Sequence, residues 1–202
     1  MKRVTLFGLL VLAALLLATD GFAYCLTGVR FPADADVYYN PSGKATSGQC
    51  ISASQMDSAV TAGIAPWAAI RYAGTTTAGA NKRDGRNTVG WAKLGGGTLG
   101  ITNYLSYDRY RTVSCGGQLF SNLHGADVRI STTYRWTSGG GPCPCSAGSA
   151  FYVDAVSEHE FGHVIGLCHV NQRSSLMYPS FDVCESKSKG SDESQGEQAL
   201  CY

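Results

Sequence analysis

The stretch His159-Glu160-Phe161-Gly162-His163-Val164-Ile165-Gly166-Leu167-Cys168-His169 constrains this chain more than any other. On a helix, residues four apart differ by about 40° and rise about 6 Å, so His159 and His163 aim at one point from one face. Glu160 falls one step round that face, close enough to reach a water held there but not placed to be a third ligand. His169 would lie about 240° away from His163 if the helix continued, so the helix must break. Gly166 supplies the break, because a residue without a β-carbon enters the left-handed region at little cost, and the third imidazole then comes back under the other two. Three imidazoles on one divalent ion leave a position open for water, which is the pattern of a catalytic zinc and not of an enclosed structural one. Three of the chain's 4 histidines are used this way, and the fourth, His124, is expected in a loop or core role. Cys168 beside His169 is expected in a disulfide, since a fourth protein ligand would close the site.

The start of the chain bears on where such a site would work. Met1-Lys2-Arg3, an apolar run from Leu6 to Ala18, and Gly21-Phe22-Ala23 have the layout of an export signal over residues 1–23, with cleavage expected after Ala23. A membrane anchor is the competing reading, but about a dozen apolar residues fall short of the roughly 20 that span a bilayer. No later segment is apolar enough to span one, so residues 24–202 are expected to be a single secreted domain, extracellular or periplasmic. All 8 cysteines lie in that part, an even number that points to as many as four disulfides in an oxidising compartment. Lipidation of Cys25 is disfavoured, because Ala23-Tyr24 lacks the small residue expected immediately before it. Removing Lys2, Arg3 and Asp20 changes 16 basic and 15 acidic residues to 14 and 14. That zero balance argues against nucleic acid as a partner.

Short β-favouring runs precede the histidines. Val29 to Phe31 and Val37 to Tyr39 predict a first strand or strand pair ending at Asn40-Pro41-Ser42-Gly43. Ser54-Gln55-Met56-Asp57 has the spacing of a capping box, and Met56, Val60 and Ile64 form an apolar stripe, so a helix is expected to begin near Gln55 and stop between Gly63 and Pro66. Residues 70–72, 88–91, 99–102 and 126–130 predict further strands of one sheet. Residues 138–149 predict a loop, with Cys143 and Cys145 bonded to different partners. Helix is expected from Phe151 onward and again over 193–200, tied down by Cys201.

The eleven residues resemble the extended zinc-binding motif of the metzincins, and Ser175-Leu176-Met177-Tyr178-Pro179 looks like their Met-turn. His-Glu-Phe-Gly-His and Leu-Met-Tyr-Pro resemble the matrixins, the matrix-metalloproteinase-like branch. Asn87-Thr88-Val89, Leu99-Gly100-Ile101-Thr102 and Ala126-Asp127-Val128 resemble strand motifs of short matrixin-like domains. The resemblance implies an α+β, disulfide-stabilised zincin fold, with a twisted five-stranded mixed sheet, an active-site helix and a C-terminal helix. It implies a secreted zinc endopeptidase acting on protein or peptide substrates, with His159, His163 and His169 as ligands and Glu160 as general base. Met177 would lie beneath the metal, and Tyr178 and Pro179 would begin the wall of the substrate pocket. One catalytic zinc is implied, while calcium has no motif to support it. With the first strand expected close behind Ala23, no room is expected for an inhibitory pro-segment. Two other readings stay open: a disulfide-stapled binding module with a structural or vestigial zinc, and a zinc hydrolase acting on a non-peptide amide. The oligomeric state is not legible.

Overall fold

The structure is a computed structural model that describes residues 24–44, 49–139 and 150–202, with the side chains of 107–111 left out. The export signal expected over 1–23 and the expected pairings of Cys143 and Cys145 lie outside the described residues.

A mixed sheet organises the molecule. It contains β1 (Val29–Arg30), β2 (Ala35–Tyr39), β3 (Ile70–Thr75), β4 (Asn87–Ala92), β5 (Gly100–Cys115) and β6 (Gln118–Ser131). The strands run β3-β2-β4-β6-β5, all parallel except β5, which is antiparallel to β6. Among the described residues the sheet therefore has six strands rather than the expected five. The extra one, β1, pairs only with Ser121 and Asn122 of β6, while β4 pairs with Val128 to Ser131 further along the same strand.

The β5–β6 hairpin is far longer than its two β-favouring runs suggested. Cys115 and Gln118 close it across Gly116-Gly117, both at positive φ, as a tight hairpin turn with a two-residue loop requires. Its middle stretch is rich in polar residues and tyrosine and gives no apolar run to detect. Cys115 is bonded to Cys201, which anchors the ribbon to the C-terminus.

Helix α1 (Ala53–Ala62) turns Met56 and Val60 into the core, and Ile64 follows just past its end. Its capping box uses Ser52 with Gln55, two residues earlier than expected, because the Ser52 hydroxyl accepts from the Gln55 amide while the Gln55 side chain accepts from Ser52 N. Before the second helix, β7 (Arg135–Thr137) pairs with β8 (Ala150–Tyr152). Phe151 and Tyr152 are thus strand and not helix, and α2 (Val153–Ile165) starts directly after them. The last helix, α3 (Ser191–Ala199), lies where the C-terminal helix was expected.

Helix α2 is wedged into the core, with Phe161, Val164 and Ile165 at 0–1% exposure. A β-carbon on Gly63 would approach Glu158 N and Ser157 Cβ to 2.8 Å, so the end of α1 lies directly on α2. The indole of Trp67 donates to Glu158 O at 3.1 Å. Buried Asp127 on β6 accepts from the amides of Asn81, Lys82 and Thr88 and so ties the β3–β4 connection to the sheet.

Candidate metal and active site

Helix α2 carries His159, Glu160 and His163 and ends at Gly166, whose φ of 116° and ψ of 12° are left-handed. The turn is obligatory for glycine on two counts, since any β-carbon there would also collide with the Val29 carbonyl oxygen. Beyond it the chain is caught at once. Leu167 makes an antiparallel bridge to Leu26, Thr27 N donates to Gly166 O at 2.9 Å, and Cys168 is disulfide-bonded to Cys25. The cysteine next to the third histidine is therefore spent on holding its loop in place. Cys50 and Cys184 are disulfide-bonded as well.

The three imidazoles converge. His169 Nε2 lies 3.2 Å from His159 Nε2 and 3.0 Å from His163 Nε2. A tetrahedral zinc with nitrogens at about 2.0–2.1 Å would set neighbouring ligands about 3.3 Å apart, so the spacing suits that ion. The outer ring nitrogens select the right tautomer. His159 Nδ1 is 2.7 Å from Leu176 O and His163 Nδ1 is 2.8 Å from Leu167 O. A carbonyl only accepts, so each Nδ1 carries the hydrogen and each Nε2 turns a lone pair inward. A hydrogen on His169 could bridge only one of the two approaches, whereas a cation satisfies both. Burial pushes the pKa of His159 down to about 3 and that of His163 down to about 4, which keeps both rings neutral and able to ligate. Among the described residues, these three form the one cluster able to hold a metal.

Glu160 sits beside the cluster, 5% exposed. Burial pushes its pKa up to about 7, against the opposing effect of a hydrogen bond from Thr102. Thr102 Oγ1 lies 2.7 Å from Glu160 Oε2 and 3.0 Å from Glu160 O. Gly100, two residues earlier on β5, leaves the carboxylate its room, since a β-carbon there would fall 2.6 Å from Oε1. Tyr104, further along β5, donates to His163 O at 2.5 Å.

Met177 is 2% exposed and lies against Gly162, where a β-carbon would meet its Sδ at 2.5 Å. It thus packs under the helix between the first two histidines. Its turn is held by α3: Glu193 accepts from Ser175 Oγ at 2.5 Å and from Met177 N at 3.3 Å. Burial alone would raise the Glu193 pKa, but the bonds from Ser175 and from neighbouring amides outweigh it, and the net shift is downward.

A cavity of about 690 Å³ opens in front of the histidines and Glu160. Leu99, Tyr134, Phe151, Val156, Pro179 and Phe181 contribute to its walls. Of the two residues that the family resemblance assigned to a substrate pocket, Pro179 is among those lining this cavity and Tyr178 is not. The Tyr178 ring instead packs against Lys187 and Arg173, so it backs the wall. His124 is exposed on β6, in neither a loop nor the core. Thr102, Gly100, Tyr104, Phe181 and Lys187 were not singled out as site residues, because nothing in a strand or loop pattern marks what its side chains will face.

The mixed-sheet fold brings together three imidazoles able to hold a metal, a buried carboxylate and a cleft in front of them. Comparison with known proteins makes this specific. Residues 102–200 match the family model for matrixin. Human matrix metalloproteinase-20 is 35% identical over 57 residues, 28% of this chain and 10% of that protein. Human matrix metalloproteinase-27 is 33% identical over 57 residues, with the same shares. The match spans about a tenth of the length of these relatives. This chain is a matrixin-like protein, related to a family of metalloproteases whose members imply zinc at such a site.

Proposed function

We propose that this chain is a zinc-dependent endopeptidase, with His159, His163 and His169 as ligands and Glu160 as general base. The observation that carries the reading is the approach of His169 Nε2 to 3.2 Å from His159 Nε2 and 3.0 Å from His163 Nε2, beside a buried carboxylate and at an open cavity. A purely structural zinc has no use for that carboxylate or that cavity.

Zinc, when bound, supplies a Lewis acid for the peptide carbonyl and acidifies water at its open position. The proton is then handled by this chain. Thr102 engages Oε2 of Glu160, which leaves Oε1 to accept a proton from the attacking water and return it to the leaving amine nitrogen. No covalent acyl-enzyme is needed. The outer edge of β5, which among the described residues pairs with β6 alone, offers main-chain groups to an extended peptide beside the cleft. The apolar walls favour an apolar side chain next to the scissile bond, with Pro179 as part of that wall and Met177 as support beneath the histidines.

Residues 1–23 are proposed as an export signal and 24–202 as one catalytic domain acting outside the cytoplasm. The paired cysteines fit an oxidising compartment. Among the described residues no helix is long and apolar enough to cross a membrane. Metal analysis and a peptide-library digest, run with a Glu160→Ala variant, test the reading. The variant is expected to hold zinc at the wild-type ratio and to cleave nothing. Undiminished cleavage by it would remove Glu160 from the mechanism.

A further inference from the structure

The wall that carries Pro179, Ser180 and Phe181 has no helix or strand of its own; residues 179–190 form only a turn and irregular chain. What it folds around is a cation. The Lys187 side chain is 4% exposed, and its Nζ lies 4.9 Å from the centroid of the Tyr178 ring and 4.9 Å from that of Phe181. The same ammonium donates to Ser180 O at 3.1 Å and stands 3.5 Å from Glu185 Oε1. An ammonium withdrawn from water must recover its lost hydration, and here two ring faces, a carbonyl and a carboxylate do so together. Three of these four partners belong to the segment 178–181 itself. Each is therefore held at a set distance from Nζ.

Phe181 links this arrangement to the site. Its ring lines the cavity and meets His159 edge-on at 5.6 Å between centroids. Lys187 does not line the cavity, so it has no direct contact with anything bound there. We propose that Lys187 is a positioning residue for substrate selectivity: by fixing Ser180 and Phe181 from behind, it sets how large a side chain the cleft accepts beside the scissile bond. The inference rests on the endopeptidase reading and adds to it the residue that determines the width of the pocket.

The test uses the zinc-loaded secreted protein and a peptide library varied at the residue following the scissile bond. Lys187→Met keeps the stem and removes the charge, Lys187→Arg restores a cation, and Phe181→Leu alters the wall directly. For wild type, kcat/KM should differ sharply among leucine, phenylalanine and alanine at that residue. In Lys187→Met this discrimination should fall by about tenfold, with zinc content unchanged and the loss seen mainly in KM. Lys187→Arg should restore it. Phe181→Leu should shift the preference by itself, and adding Lys187→Met to it should change little further. A wild-type preference in Lys187→Met overturns the proposal, as does an unchanged preference in Phe181→Leu, which decides the matter even if Lys187→Met does not fold. Absence of any cleavage by zinc-loaded wild type would instead remove the endopeptidase reading, and this inference with it.

Discussion

Replacing Thr102 with valine keeps the shape and strand preference of the side chain and removes one hydroxyl. That hydroxyl lies 2.7 Å from Glu160 Oε2, and the carboxylate is 5% exposed, so water cannot readily replace the lost donor. A hydrogen bond to a charged, buried partner is worth about 1.5–3 kcal/mol. If that stabilisation is withdrawn from the carboxylate form of the base, kcat/KM should fall by about ten- to a hundredfold. The sign of the pH effect follows from the same bond. Thr102 lowers the Glu160 pKa against the larger upward push of burial, so its loss raises the pKa and moves the acid limb of the rate profile to higher pH. Steady-state rates on a fluorogenic peptide from pH 5 to 9, with zinc content measured on the same samples, would read both effects. Thr102→Ser should recover most of the rate. A valine variant with wild-type kcat/KM and an unmoved acid limb would refute the idea that Thr102 supports the base.

Gly100→Ala places a β-carbon 2.6 Å from Glu160 Oε1, so it should displace the carboxylate and suppress turnover while zinc, assayed by metal analysis, stays bound. Replacing Cys25 and Cys168 with serine opens the link across 143 residues that secures the His169 loop, and should cost about 2–5 kcal/mol in chemical denaturation. The same variant should lose zinc to a chelator at lower concentration than wild type does. Glu193, whose folded pKa lies below its ordinary 4.5, contributes stability that is fully present above that value and lost as pH falls through the folded pKa. Glu193→Gln should therefore lower Tm at neutral pH and flatten its acid fall-off, measured by thermal melts from pH 2 to 7.

The chain's own sequence determined what depends on near neighbours. Helical spacing put His159, Glu160 and His163 on one face, and a single glycine turned His169 back toward them. The buried stripe of Met56, Val60 and Ile64, the strands over 70–72, 88–91 and 126–130, and the C-terminal helix were legible for the same reason, since periodicity is a local property. Other features formed only when distant segments met. Thr102 lies 58 residues from the carboxylate it supports, Leu176 lies 17 from the His159 ring it orients, and Cys25 lies 143 from Cys168. The pairing of β1, a strand legible over Val29 to Phe31, with β6 has the same origin, as does the packing of Tyr178 against Lys187. Residue spacing fixes angles along one element, but which side chain stands opposite another is decided by how whole elements pack, and no run of neighbouring residues contains that information.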